Sequence, residues 1–191
     1  MNARTIVDWL VEHASTATPK FQRWFDGSKV VGAGGQPKVV YHGTDVEDFD
    51  VFERTEDIGF HFGTPAQANA RAVLGDEPTG GRLIPVYLRI RRPLRMSDLH
   101  DWAPDAVVNE LVDLGVISPE QADVTQLVDR DQVRDWLAAK GYDGIVYANE
   151  TEGGRDDSYI VFDPSQVKSA YSRAFDPASP RFSESFGPGT M

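Results

Sequence analysis

Three short stretches of the sequence combine glycine or aromatic residues with polar side chains that could bind and activate a ligand. They are His42-Gly43-Thr44, Gly59-Phe60-His61-Phe62 and the acidic loop of residues 150–158. Glycine leaves its peptide N–H and C=O open to a flat ligand because it has no side chain, while His and Thr side chains can bond to hydroxyl groups. The first stretch therefore suits a ligand that carries a carboxamide and a ribose.

Each stretch also has a purely structural interpretation. His42 can equally be a hydrogen-bonded core histidine beside a strand-end glycine, and His61 a half-buried strand histidine between two phenylalanines. The loop acids can be solvated charges on an acidic protein. Neither histidine motif is specific alone, so the order and spacing of the stretches carry the argument.

The composition limits the classes of function. A chain of 191 residues suits one well-packed domain. With 30 acidic against 19 basic residues the formal charge is -11, which argues against broad nucleic-acid binding through a basic face. The absence of cysteine excludes disulfides, thiolate nucleophiles and Cys-based zinc sites.

Two further features concern metals and location. The histidines lie at positions 13, 42, 61 and 100 without any i, i+4 pair, so we expect no metal site. The first residues contain charges at Arg4, Asp8 and Glu12 and lack an apolar run of signal-peptide or membrane length. We therefore expect a cytoplasmic protein without a membrane segment.

Periodicity predicts the strands that position the polar stretches. Residues 29–31 and 38–41 read as a hairpin around the glycine-rich turn 32–37, and the second of these strands delivers His42. The short apolar run 58–62 predicts a buried strand. Alternation predicts further strands at the ranges 82–90, 145–147 and 159–162.

Helical spacing predicts the remaining elements. Apolar residues at 6–11 and an aromatic face at 21–25 indicate two N-terminal helices. Thr64 as N-cap and Pro65 at the first helical position predict a helix over 65–74. The range 97–140 has a helical period and predicts two or three helices.

The order of these motifs resembles the ADP-ribosyltransferase fold, in particular the toxin-like domains inside large phage and mobile-element polyvalent proteins. The resemblance covers about residues 21–170, and its most specific block is Asp157-Ser-Tyr-Ile-Val-Phe-Asp-Pro-Ser-Gln-Val-Lys-Ser169. It implies an α+β fold with a split, bent antiparallel β-core, N-terminal helices and a helical insertion. The implied division is an N-terminal helical segment (1–27), the ADP-ribosyltransferase-like domain (28–172) and a flexible tail or linker (173–191).

The resemblance implies a mono-ADP-ribosyltransferase that uses NAD as co-substrate, in a bacterial host cell or delivered by phage. The acceptor, a protein, nucleic acid or small molecule, stays open. His42 would bond the adenosine-side ribose, Gly43 the nicotinamide carboxamide, and Arg71 the pyrophosphate. The full implied NAD-binding set is Tyr41, His42, Gly43, Thr44, Gly59, Phe60, His61, Phe62, Arg71 and Ser158.

The chain departs from the family pattern twice. His61 stands where the family usually has a tyrosine that stacks on nicotinamide, which is similar to the two-histidine RNA 2'-phosphotransferases. Ser158 stands where the catalytic glutamate is expected. An RNA 2'-phosphotransferase, an NAD glycohydrolase and a degenerate fold that binds NAD or a partner without catalysis are therefore alternatives to a transferase.

The predicted catalytic groups are His42, His61 and a carboxylate from the loop. Asp157 is the first choice and Glu150 nearly equal to it, with Asp156 and Glu152 as further candidates. Strand alternation places Asp157 and Ser158 on opposite faces, so Asp157 requires a bulge to reach the site.

Overall fold

The computed structural model describes residues 16–46, 49–53, 57–72, 81–123, 129–171 and 176–182. Within these ranges the chain forms two β-sheets and five α-helices, so the predicted α+β class is confirmed. None of the helices in these ranges is long and apolar enough to cross a membrane.

The first sheet has three strands in the order β1 (Val40–Thr44), β3 (Arg82–Leu88) and β7 (Val167–Ser169). Both pairs are antiparallel. The central strand carries Pro85 opposite Tyr41, and the Pro85 carbonyl accepts from the Ala170 N–H at 3.0 Å. The N–H that proline lacks would point to the same side as this carbonyl, where β7 has already ended at Ser169, so no hydrogen bond between the named strands is lost.

The second sheet has four strands in the order β2 (Phe60–Phe62), β6 (Asp157–Val161), β5 (Gly144–Ala148) and β4 (Pro93–Met96). Only β4 and β5 are parallel among these pairs. A parallel pair needs a long crossover, and the helical insertion provides it.

Five helices complete the described part of the chain. They are α1 (Pro19–Phe25), α2 (Pro65–Ala72), α3 (Pro104–Asp113), α4 (Pro119–Asp123) and α5 (Arg130–Ala139). At the start of α2 the Thr64 hydroxyl accepts from the Gln67 N–H, and the Gln67 side chain accepts from the Thr64 N–H. This reciprocal cap confirms the predicted helix start. Helices α3, α4 and α5 confirm the predicted helical insertion.

Two apolar clusters hold the sheets. The first lies between the sheets and includes Val86, Leu88, Phe60, Val161 and Val167. The second packs the insertion onto the outer face of the four-stranded sheet, where Leu111, Val133 and Leu137 contact strand residues such as Ile145 and Ile160. Strand β6 is therefore covered on both faces, and this explains its continuous run of buried residues.

The predicted hairpin at residues 29–41 is present as a short turn. The Gly32 N–H donates to the Gln36 carbonyl and the Lys38 N–H to the Val30 carbonyl, around a bridge between Val31 and Pro37. The strand after this turn, β1, pairs with β3, and the paired residues run from Thr44 with Arg82 to Val40 with Val86. The predicted helix at 6–11 lies outside the described residues.

Residues 176–182 belong to the stretch expected as a flexible tail, yet they pack on the domain. Phe182 is buried against Phe49 and Phe52, its N–H donates to the Asp50 carbonyl, and its carbonyl accepts from the Ser169 N–H. The reason is one aromatic side chain within an otherwise Pro- and Ser-rich segment. The other parts of 173–191 are not among the described residues.

Candidate active site

The end of strand β1 presents an open peptide edge between the two sheets. Tyr41 and Gly63 exchange two backbone hydrogen bonds, of 2.9 and 3.0 Å, on the edge of β1 that faces away from β3. Antiparallel pairing repeats every second residue, so the Gly43 N–H and C=O point to the same edge, beyond the bridge to Gly63. Gly43 therefore offers one donor and one acceptor side by side.

Glycine is required at position 43 because helix α2 lies directly behind it. A Cβ at Gly43 would stand 1.8 Å from the Ala68 carbonyl oxygen and 3.1 Å from the Ala72 Cβ. The obstacle is helix backbone, so a side chain would displace α2. The same helix thus fixes the position of the open peptide group.

His42 lies on the opposite face of β1 and is held in one tautomer. Its Nδ1 lies 2.9 Å from the His61 carbonyl oxygen, which can only accept, so Nδ1 carries the proton. Burial lowers the pKa of His42 to about 4, and the ring is therefore neutral at pH 7. The rings of Phe52 and Phe62 contact it at 5.0 and 5.4 Å. Nε2 is then an acceptor suited to a hydroxyl group.

A cavity of about 480 Å³ opens on this face of β1. Its polar lining comprises His42, Thr44, Glu53, Asp57, His61 and Arg71, and its apolar lining includes Phe49, Phe52 and Phe60. Such a volume and mixed lining are typical of small-molecule sites.

A narrow crevice of about 10 Å³ lies beside the cavity and reaches the Gly43 edge. His61 and Arg71 line both spaces, while Tyr147, Glu152 and Ser158 line the crevice. The two spaces are therefore separated by the side chains that they share.

His61 is a buried polar residue between the cavity and the crevice. Its Nε2 lies 3.2 Å from Asp57 Oδ1, but the contact is poorly aligned for a hydrogen bond, and Nε2 has no well-formed partner among the described residues. Its Nδ1 lies 3.4 Å from the Tyr147 hydroxyl, and Trp102 of the insertion packs edge-on against the ring. Burial lowers the pKa of His61, so that this ring is also neutral at pH 7.

Asp57 and Glu152 both bind the guanidinium of Arg71. Arg71 Nη2 donates to Asp57 at 2.8 Å, and Nη1 donates to Glu152 at 3.2 Å. Burial opposes the ionisation of Asp57, but the close contact with the His61 ring, the charge of Arg71 and the hydrogen bond from the Ile58 N–H outweigh it and lower the pKa of Asp57 to about 2. Arg71, predicted to bind pyrophosphate, is thus engaged by two carboxylates.

The loop between β5 and β6 brings Glu152 next to Ser158. The side-chain amide of Asn149, which is buried, donates both to Glu152 Oε2 and to Ser158 Oγ. Ser158 is buried and faces the crevice, as alternation along β6 requires. A carboxylate therefore stands beside the Ser158 hydroxyl, at the position where the sequence analysis expected a glutamate.

The other loop acids lie elsewhere. Asp157 points to the opposite face of β6, where both of its carboxylate oxygens accept from Arg95 at 2.6 and 3.1 Å. Glu150 pairs with Arg155 on the surface, and Asp156 is exposed. No bulge turns Asp157 inward, because β6 pairs with β5 in continuous register through this position. The structure thus brings His42, His61, Arg71 and Ser158 together, but not Asp157 or Glu150.

Several residues of the site have no clear signal in the sequence. Asp57 lies just before the predicted strand 58–62, and Tyr147 and Asn149 lie at the end of an apolar run. Each therefore looks like an ordinary polar residue at the end of a strand. Gln67 could be recognised as the third residue of a capping box. Its amide also donates to the carbonyls of Gly153 and Asp156, a contact across more than 80 positions that sequence spacing does not reveal.

A family model matches most of the described domain. The family model described as ADP-Ribosyltransferase in polyvalent proteins matches residues 33–176. The chain belongs to this family. The matched range of this polyvalent-protein ADP-ribosyltransferase domain includes both sheets, the helical insertion and every residue of the cavity and the crevice.

Other comparisons add little. No curated protein matches the chain. A solved structure titled "Crystal structure of an anti-CRISPR protein" has 10% sequence identity and a TM-score of 0.32, over 69% of this chain and 94% of that chain. No property of that protein is carried over at this level of similarity.

Proposed function

We propose that the protein binds NAD as co-substrate between its two sheets and transfers ADP-ribose to an acceptor. The proposal is supported by the family of the domain and by the complementarity of three neighbouring groups to parts of NAD. These groups are the open peptide edge of Gly43, the neutral acceptor nitrogen of His42 and the carboxylates around Arg71.

The first two groups fit parts of NAD in chemical type. A carboxamide carries one acceptor and one donor group, and it pairs with a parallel donor and acceptor such as the Gly43 peptide edge. A hydroxyl of the adenosine-side ribose can donate to His42 Nε2, with Thr44 beside it on the same face of β1. Phe49, Phe52 and Phe60 form an apolar wall of the same cavity.

The carboxylates at the site support the proposed chemistry. Asp57 and Glu152 both bind Arg71, Asp57 at the cavity and Glu152 at the crevice, and the Glu152 side chain is only 8% exposed. Cleavage of the nicotinamide–ribose bond develops positive charge on the sugar, and these carboxylates would stabilise it.

The reaction follows from that complementarity. The bond between ribose C1' and the pyridinium nitrogen breaks, and its electron pair leaves with neutral nicotinamide. A lone pair of the acceptor forms the new bond to C1', and the acceptor loses a proton to a base. Acceptor and NAD thus give nicotinamide, the ADP-ribosylated acceptor and a proton.

Hydrolysis of NAD by water remains the other outcome for the same site, and it differs only in the acceptor.

The test measures NAD binding and nicotinamide release by the wild-type protein. Calorimetric titration gives the affinity, and NAD labelled on the adenylate is incubated in buffer and in bacterial lysate. We expect binding, and labelled product in lysate in excess of the free ADP-ribose formed in buffer. Nicotinamide release that is equal in both conditions and without labelled acceptor identifies a glycohydrolase instead.

His42→Ala tests the position of the site. The variant removes the acceptor nitrogen, and we expect the affinity for NAD to fall at least about 10-fold, the value of one hydrogen bond in a buried site. Its thermal unfolding is measured alongside to establish that the variant is folded. Equal affinity of folded His42→Ala and wild type would refute the assignment.

A further inference from the structure

We propose that Glu152 is the catalytic carboxylate of this site, supplied by the loop before β6 in place of a glutamate at position 158. The inference rests on the proposed function, because it assigns a role within the same reaction. It differs from the sequence-based expectation, which favoured Asp157 and Glu150.

Burial separates Glu152 from the other loop acids. Its side chain is 8% exposed, whereas those of Asp157 and Glu150 are 36% and 55% exposed. Both oxygens of Glu152 are held, one by Arg71 of helix α2 and the other by Asn149. Of these three acids only Glu152 lines the crevice that contains the Gly43 edge.

Asn149 ties the carboxylate to the position of the missing glutamate. Its amide nitrogen donates to Glu152 and also to Ser158 Oγ at 2.9 Å. The Glu152 N–H donates back to the Asn149 side-chain oxygen at 2.9 Å. Two atoms that share one donor lie within a few ångströms of each other, so the Glu152 carboxylate occupies the space beside Ser158.

The loop that carries Glu152 is fastened at both ends. The Asp98 carboxylate accepts from the N–H groups of Glu150 and Thr151 at 2.8 and 2.9 Å. The Gln67 amide donates to the carbonyls of Gly153 and Asp156 at 3.3 and 3.0 Å. Such fixed anchoring is what a catalytic group needs, because misplacement by about 1 Å lowers the rate strongly.

Glycine makes the return of the loop possible. Gly153 and Gly154 adopt φ angles of 88° and 96°, which L side chains rarely adopt. The chain thus reverses directly after Glu152 and re-enters β6 at Asp157. This reversal leaves Glu152 pointing back into the crevice.

In the proposed reaction Glu152 has two roles. Its negative charge stabilises the cationic sugar while the C1'–nitrogen bond breaks and the electron pair leaves with nicotinamide. It then accepts the proton that the acceptor loses when its lone pair bonds to C1'. Asn149 and Arg71 are positioning residues, since they hold the carboxylate.

The experiment compares Glu152→Gln with the matched variants Glu150→Gln and Asp157→Asn. Each removes one carboxylate charge from the same loop and keeps its size. We expect nicotinamide release at saturating NAD to fall at least about 100-fold in Glu152→Gln, the usual range for a lost acid–base group. We expect changes below about 3-fold in the two controls, and similar NAD affinity in all three.

A second variant places a carboxylate on strand β6 itself, at position 158. Adding Ser158→Glu to Glu152→Gln is expected to recover turnover at least about 10-fold over the single variant. Glu152→Gln within about 3-fold of wild type, or a control that falls equally far, would overturn the proposal. So would a folded double variant without recovery. A wild-type protein that neither binds nor cleaves NAD would instead refute the proposed function.

Discussion

The two ends of the loop between β5 and β6 use their carboxylates in opposite ways. At the inner end Glu152 is buried in a network with Asn149, Arg71 and Ser158. At the outer end Asp157, only five residues later, pairs with Arg95 on an exposed face. Both acids have an arginine partner, yet only the inner pair lines the crevice between the sheets.

The difference shows that strand geometry decides which side chain reaches the site. Residues 157 and 158 alternate on β6, so burial of Ser158 forces Asp157 outward. The loop is free of this constraint, and its glycine turn directs Glu152 inward. A site without a carboxylate on the strand can therefore take one from the adjoining loop.

The largest expected effect concerns the two arginines. Arg71→Met leaves the carboxylates of Asp57 and Glu152 without their shared cation, and their repulsion should displace Glu152 or favour its protonation. We expect turnover of NAD to fall by about 100-fold or more. Arg95→Met is the matched control at the outer end, with a change below about 2-fold. Equal losses in both variants would show that the inner end has no special role.

Acid should lower the stability of the protein through His42 and His61 before it affects Asp57. The pKa of His42 is lowered to about 4 and that of His61 is also lowered, so the unfolded state binds protons more readily below pH 6.5. Stability is therefore complete above pH 6.5 and falls with decreasing pH, by about 2 to 3 kcal/mol at pH 4.5 from His42 alone. Asp57, with a pKa of about 2, adds a further loss only between pH 3.8 and 2.

Denaturant unfolding between pH 4.5 and 8 measures this dependence. His42→Gln cannot titrate, so the slope of its unfolding free energy against pH should be smaller than that of wild type. Identical slopes in His42→Gln and wild type would contradict the burial of a neutral histidine.

Removal of the Asn149 amide should lower stability by a smaller amount. The side chain is buried and bonds to Glu152 and Ser158, so Asn149→Leu leaves polar groups without partners and should lower the unfolding free energy by about 2 kcal/mol. Asp156→Ala in the same loop is exposed and should change it by less than about 0.5 kcal/mol. Chemical denaturation separates the two variants.

The smallest effect is expected from the outer ion pair. Arg95 is 59% exposed and Asp157 36% exposed, and exposed pairs contribute less than about 1 kcal/mol. A double-mutant cycle with Arg95→Met and Asp157→Asn measures the coupling. A coupling above about 2 kcal/mol would mean that the ion pair at the outer end contributes as much to stability as the buried contacts at the inner end.

Much of this molecule can be predicted from local sequence. The strand that carries Tyr41-His42-Gly43-Thr44, the capped helix after Thr64 and the helical insertion follow from periodicity and capping residues. Alternation also predicts that Ser158 and Asp157 point to opposite faces, as observed.

The choice of carboxylate could not be predicted in the same way. It depends on Asp98, about 50 positions from Glu152, and on Gln67, more than 80 positions away, which together fasten the loop. The two partners of Arg71 are also separated from it in the sequence: Asp57 precedes it by 14 positions, and Glu152 follows it by 81. Contacts between such distant residues follow from the sheet topology, which short-range patterns do not encode.

The most direct test of the site is a crystal structure of the protein with a non-cleavable carbocyclic analogue of NAD. The account predicts that the carboxamide pairs with the Gly43 N–H and C=O, that a ribose hydroxyl bonds to His42 Nε2, and that C1' faces Glu152. An analogue bound elsewhere, or with C1' facing Asp157, would contradict it.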